Sequence, residues 1–190
     1  MSREDAYGLL TEYTKNENLI KHALAVEAAM GAYAAKFGED EEKWRVVGLL
    51  HDFDYEVHPT AEEHPSKGAD ILREAGYSEE IVRAVLSHAN HMNLSRETLM
   101  EKALYAVDEL TGFITAVALV RPGKSIMDVK AKSVRKKMKD KAFARAVNRD
   151  DLVESAELLG VDLNEHIEFV TKAMQGIAKE LGLEGTPSGR

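Results

Sequence analysis

Gly48-Leu49-Leu50-His51-Asp52-Phe53-Asp54-Tyr55-Glu56 sets an apolar run directly against an adjacent His–Asp pair, and two more acids follow within four residues. From Trp44 to Leu50 the chain is apolar nearly all round, the pattern of a helix enclosed in a core, so residues 41–52 are expected to be a central helix. An imidazole and a carboxylate at the buried end of such a helix fill a core poorly. Together they suit a divalent first-row ion. The rest of the chain is therefore read for further ligands.

Upstream, residues 4–14 are expected to form a first helix and residues 17–37 a second. The second carries Leu19, His22, Ala23, Val26, Met30, Tyr33 and Phe37 at helical spacing, which places His22 inside the apolar stripe. Gly38 is the expected C-cap. Downstream, residues 54–65 read as a loop in which His58 and His64 each precede a proline and are biased away from helix. A short helix over 66–75 stops at Gly76, and Ser78 opens another that ends near His88. Ala89–Leu94 is a loop containing His91. Ser95 is the expected cap of a helix reaching Val120, on which Asp108 lies one turn after Leu104 and faces the core side. The basic stretch that follows reads as short helices and turns, and a last helix spans about 163–181.

Six residues stand out: His22, His51, Asp52, His64, His88 and Asp108. Each alone has a bland reading, since a lone inward histidine is usually a core residue hydrogen-bonded to backbone. As a set they would be costly to bury unless they satisfied one another or a cation. A metal answers the cost for all of them at once.

The chain is 190 residues long, 44% apolar and 31% charged, enough for one globular domain without disulfides. With no cysteine there is no thiolate site and no cysteine nucleophile. No apolar run has membrane-spanning length, and Met1–Asp5 lacks the basic and apolar regions of a secretory signal, so a cytoplasmic protein is expected. The net charge of −8 is uneven: 121–149 holds eleven Lys or Arg against Asp128 and Asp140, a segment of +9. Phe143 is its only aromatic side chain, which leaves no stacking platform and argues against a nucleic-acid partner.

The ordered set His22, His51-Asp52, Asp108, in contexts such as "GLLHD" and "YAVDEL", resembles the HD-domain metal-dependent phosphohydrolases over roughly residues 20–120. The resemblance implies an all-α, compact multi-helix bundle with a metal site between central helices. The domain would span 1–183, with a helical extension from 121 and a disordered tail over 184–190. It implies one or two divalent ions (Mn, Fe, Co, Ni, Zn or Mg) on His22, His51, Asp52 and Asp108. In two-metal relatives intervening histidines hold the second ion, a role that falls to His64 and His88, with Asp52 bridging. The Gly-Tyr-Pro signature and adjacent histidines of the cyclic dinucleotide phosphodiesterase branch are absent. The arrangement is similar to the bacterial diadenosine tetraphosphate hydrolase branch.

The implied activity is hydrolysis of a small-molecule phosphomonoester or nucleotide-type phosphate by a metal-activated water. Glu56, four residues after Asp52, is the first choice of proton donor, ahead of Asp54 and His91. His91 is also a phosphate contact or a ligand in place of His88. Lys132, Arg135 and Lys136, neighbours at helical spacing, are the expected substrate-binding cations, against the reading of a solvated face. Two alternatives belong to other classes: a di-iron oxygenase of the same superfamily acting on a polyol or phosphonate, and a catalytically silent binding or regulatory protein. Leu183 and Phe169 are the candidate contacts of a homodimer.

Overall fold

In the structure, a computed structural model that describes residues 1–185, the chain forms nine α-helices. These are α1 (Arg3–Tyr13), α2 (Glu17–Phe37), α3 (Glu41–Leu50), α4 (Ser66–Glu74), α5 (Glu79–His88), α6 (Leu99–Leu119), α7 (Ala131–Met138), α8 (Arg149–Leu159) and α9 (Leu163–Gln175). Among the described residues the only β-type pairing is an isolated bridge between Ser125 and Glu184. The architecture is all-α, as the periodicity requires.

Local chemistry sets most boundaries. Ser2 and Asp5 form a capping box on α1, while the side chains of Asn16, Asp40 and Asp162 accept backbone N–H bonds at the starts of α2, α3 and α9. Gly38 and Gly160 end α2 and α8 in left-handed geometry. The cap of α6 is Thr98, not Ser95, because Thr98 forms a capping box with Glu101. Ser78 occupies the N-cap position of α5 but makes no side-chain cap bond. Helix α3 ends at Leu50, and turns carry the chain onward from the His–Asp pair. The last helix ends at Gln175, shorter than its apolar pattern predicts, and turns follow as far as Gly182.

The 21-residue helices α2 and α6 form the centre, α3 lies along α2, and α5 packs on α6. Met30, Tyr33, Leu49, Leu50, Leu104, Phe113 and Ile114 are fully buried between them. Burial of each such side chain contributes roughly 1.5–3 kcal/mol. A close approach fixes α3 against α2: a Cβ on Gly48 would lie 2.8 Å from the Glu27 Cα. That contact brings the end of α3 beside the His22 turn of α2. Buried charge is paired, with Arg3 holding Glu27 through two bonds of 2.7 and 2.9 Å.

The extension from 121 onward packs back on the centre, with α8 and α9 against α6 and α9 also against α2. Leu183 is buried, and Phe169, half-buried, packs on Tyr33 with ring centroids 4.5 Å apart. Of the tail expected over 184–190, Glu184 and Gly185 are placed, with Ser125 Oγ donating to the Glu184 carbonyl; residues 186–190 lie outside the described part. Among the described residues no helix is long and apolar enough to cross a membrane.

Candidate metal centre

Four helices and one turn meet where the first half of α2 faces the middle of α6. His22 comes from α2, His51 and Asp52 from the end of α3, His88 from the last turn of α5, and Asp108 from α6, while His64 is delivered by the turn before α4. They fall into two adjoining groups, His22–His51–Asp52–Asp108 and Asp52–His64–His88, each with ligand atoms within 4.8 Å of one another.

In the first group His22 Nε2 lies 3.0 Å from Asp108 Oδ1 and 3.1 Å from His51 Nε2. His51 Nε2 is 3.3 Å from Asp108 Oδ1 and 3.4 Å from Asp52 Oδ2. In the second group the other oxygen of Asp52, Oδ1, is 3.2 Å from His64 Nε2 and 3.1 Å from His88 Nε2. One carboxylate thus faces both groups, one oxygen to each.

The outward nitrogens of three imidazoles are engaged. His51 Nδ1 donates to the Gly48 carbonyl at 2.8 Å and His88 Nδ1 to the Val85 carbonyl at 2.5 Å. His64 Nδ1 donates to Asp54 at 2.8 Å. Asp54 is fully buried and also accepts from the Gly68 amide at 2.9 Å, an approach that a Cβ on Gly68 would block at 2.6 Å. With the proton held on Nδ1, the neutral ring turns its Nε2 lone pair inward, the second-sphere arrangement of metal-ligating histidines.

Protons alone balance this cluster only through strong pairing. Burial would push His51 down, but Asp52 and Asp108 outweigh it and raise it well above the usual imidazole range. Burial likewise opposes the ionised form of Asp52, yet His51, His64 and His88 hold it well below the carboxylate range. Asp108 is lowered in the same way, against burial, by His51 and His22. His64 rises to about 9, against burial, through Asp52 and Asp54. Imidazole lone pairs and carboxylates converging on common points are the donor set of a borderline divalent ion, which replaces such protons. The residues fit one or two ions.

The cluster opens into a cavity of about 370 Å³, whose walls also include Tyr55, Asn90, Tyr105, Glu109, Gly112 and Asp151. Burial and the neighbouring Asp108 charge push Glu109 up to about 7. Asp151 comes from α8, a helix not anticipated as a separate element. Asn90 Nδ2 donates to it at 3.0 Å, and Arg96 donates to Asn90 Oδ1 while lying 3.5 Å over the Tyr105 ring. Nothing in the local pattern singled out Asp151 or Asn90, and Asp54 stood out only as a second-choice proton donor, because their roles depend on partners farther along the chain.

All six expected ligands are brought together, but the other expected site residues are not. The Glu56 carboxylate accepts from the backbone of Lys15 and Asn16 at 2.8 and 2.9 Å and joins the loop to the α1–α2 turn. His91 is exposed, and its Nε2 donates to the His64 carbonyl at 2.9 Å, which supports that residue from behind. Lys132, Arg135 and Lys136 lie on α7, whose buried side, Ala131 and Val134, packs on α6 and α9; none of the three lines the cavity. Among the described residues no Lys or Arg lines it at all.

An all-helical domain whose core ends in a double His/Asp cluster defines the class. Residues 19–112 match the family described as "HD domain", and over that segment the chain belongs to the HD-domain family. Curated relatives include Ribonuclease Y of Oleidesulfovibrio alaskensis, 31% identical over 98 residues, 51% of this chain and 18% of that protein. Ribonuclease Y of Nitratidesulfovibrio vulgaris is 33% identical over 98 residues, with the same coverage. Ribonuclease Y of Thermotoga petrophila is 27% identical over 172 residues, 80% of this chain and 32% of that protein. The chain therefore matches a minor part of the length of these relatives. No solved structure matches it.

Proposed function

We propose that the protein is a metal-dependent phosphohydrolase acting on a phosphomonoester or nucleotide-type phosphate. The observation that carries this reading is Asp52, which presents one oxygen to each of two adjoining His/Asp groups at the floor of an open cavity. Bound divalent ions supply Lewis acidity there, activating a water and offsetting phosphoryl charge. The chain's own residues build the frame. Gly48, Val85 and Asp54 lock the imidazoles through Nδ1, and α6 sets Asp108 opposite the α3 pair. Among the described residues no Lys or Arg lines the cavity, so the bound ions would supply the positive charge that a phosphate meets there.

A phosphodiester in RNA is the second reading, supported by the likeness to Ribonuclease Y. It sets aside the argument from the missing aromatic platform, which concerned only residues 121–149. The di-iron oxygenase alternative shares the donor set, but the comparisons favour the hydrolase. The test is to measure bound metal in the purified protein and assay phosphomonoesters, nucleotides and a short RNA, with Asp52→Ala as control. Metal-dependent release of phosphate or cleaved RNA, lost in Asp52→Ala, supports the reading. Bound iron with oxygen consumption and no phosphoester cleavage overturns it.

A further inference from the structure

A second cavity of about 490 Å³ lies farther along the same face of α6 and shares His22 and Gly112 with the cavity over the cluster. Its character is opposite. Leu119, Leu181 and Leu183 provide apolar wall, and Leu119 is 48% exposed despite its size. Lys21 also lines it and is the one Lys or Arg that lines either cavity among the described residues.

Gly112 stands at the junction, one turn beyond Asp108 on α6. Glycine in a helix interior costs about 1 kcal/mol relative to alanine. At Gly48 and Gly68 close neighbours account for that choice, whereas a Cβ on Gly112 would meet nothing within 4 Å. With no side chain there, the helix surface has a notch where the two cavities adjoin.

We propose that the two cavities form one substrate cleft, with the second holding the organic group of the phosphoester, of nucleoside size and class. This rests on the phosphohydrolase reading. The phosphate lies over the cluster and the ester bond crosses the Gly112 notch. The flat apolar faces of the base lie against Leu119, Leu181 and Leu183, and Lys21 donates to an acceptor on its polar edge. Pockets of this size, largely apolar with a few placed polar groups, suit such a ligand.

The experiment uses the full chain loaded with metal, as wild type and as Gly112→Ala, Gly112→Leu and Lys21→Ala. Adenosine binding is followed by calorimetry, and kcat/KM is measured for AMP and for glycerol phosphate. Since a Cβ on Gly112 meets no atom within 4 Å, thermal melting should show both Gly112 variants folded. Gly112→Leu is expected to weaken adenosine binding and to lower the AMP-to-glycerol phosphate ratio of kcat/KM by at least about ten-fold. Gly112→Ala should change both values less than Gly112→Leu does, and Lys21→Ala should weaken adenosine.

Unchanged adenosine binding and an unchanged ratio in Gly112→Leu overturn the inference, even where both esters are hydrolysed. So does a failure of the wild type to bind adenosine. Adenosine bound and then lost in Gly112→Leu, with no ester hydrolysed, keeps the subsite and removes the phosphohydrolase reading instead.

Discussion

Asp52 is the residue on which both groups of ligands depend, so its loss should differ in kind from the loss of a peripheral ligand. Asp52→Ala is expected to abolish bound metal at both positions and with it all activity. His88→Ala should lower metal stoichiometry while leaving the His22–His51–Asp108 group able to hold an ion. Metal content per chain, measured by elemental analysis after dialysis, separates these outcomes. Asp54 touches no common ligand point but fixes His64; Asp54→Ala should weaken metal binding by about 10–100-fold, read by chelator competition. Glu56 provides the contrast. Positioned acids and bases contribute about 10²–10⁴-fold to rate, so a change of less than about two-fold in Glu56→Gln kcat is expected of a side chain engaged with the α1–α2 turn. The sequence expectation rested on nearness to Asp52 along the chain, whereas the Glu56 carboxylate faces the backbone of Lys15 and Asn16.

At the scale of elements, the contact between α2 and α3 sets the metal centre. Gly48 lets the two backbones approach, and the adjacent turn then brings His51 within 3.1 Å of His22. Gly48→Ala should destabilise the fold by about 1–3 kcal/mol through overpacking against backbone that cannot move aside. Chemical denaturation measures that loss, and weaker metal binding should accompany it. Helical periodicity gave α2, α5 and α6 their inward histidines and aspartate correctly. The failures came at caps and at the basic extension. Thr98 rather than Ser95 opens α6 because the reciprocal bond to Glu101 decides the start. Helix α8 was passed over between the basic stretch 121–149 and the last helix expected from about 163, although Asn148 and the acids Asp150 and Asp151 suit a helix N-terminus.

For the whole molecule, the extension contributes one wall of each cavity, Asp151 of the first and Leu181–Leu183 of the second. It also seals the core with a neutral histidine. His166 is buried; Tyr33 Oη donates to its Nδ1 at 2.6 Å, and its Nε2 donates to the Ala106 carbonyl at 2.9 Å. Burial lowers it to about 4. Its unfolded form takes up a proton near pH 6.5, so stability from this group is fully present above that pH. It is lost as pH falls from about 6.5 toward about 4, by roughly 3 kcal/mol in all. Thermal melts of the metal-free protein across this range should show the loss, and His166→Phe should flatten it relative to wild type.

The sequence by itself determined the all-helical class and the central helices and brought out the six candidate ligands, because helical spacing places most of them on an inward face and their joint burial demands a cation or a partner. Only the tertiary structure decided which Asp52 oxygen faces which group, what orients each imidazole and what walls the cleft. Those are contacts between residues tens of positions apart, such as His64 with His88 or Asn90 with Asp151. Local spacing cannot carry them, since they arise only when α4 packs on α5 and α8 packs back onto α6.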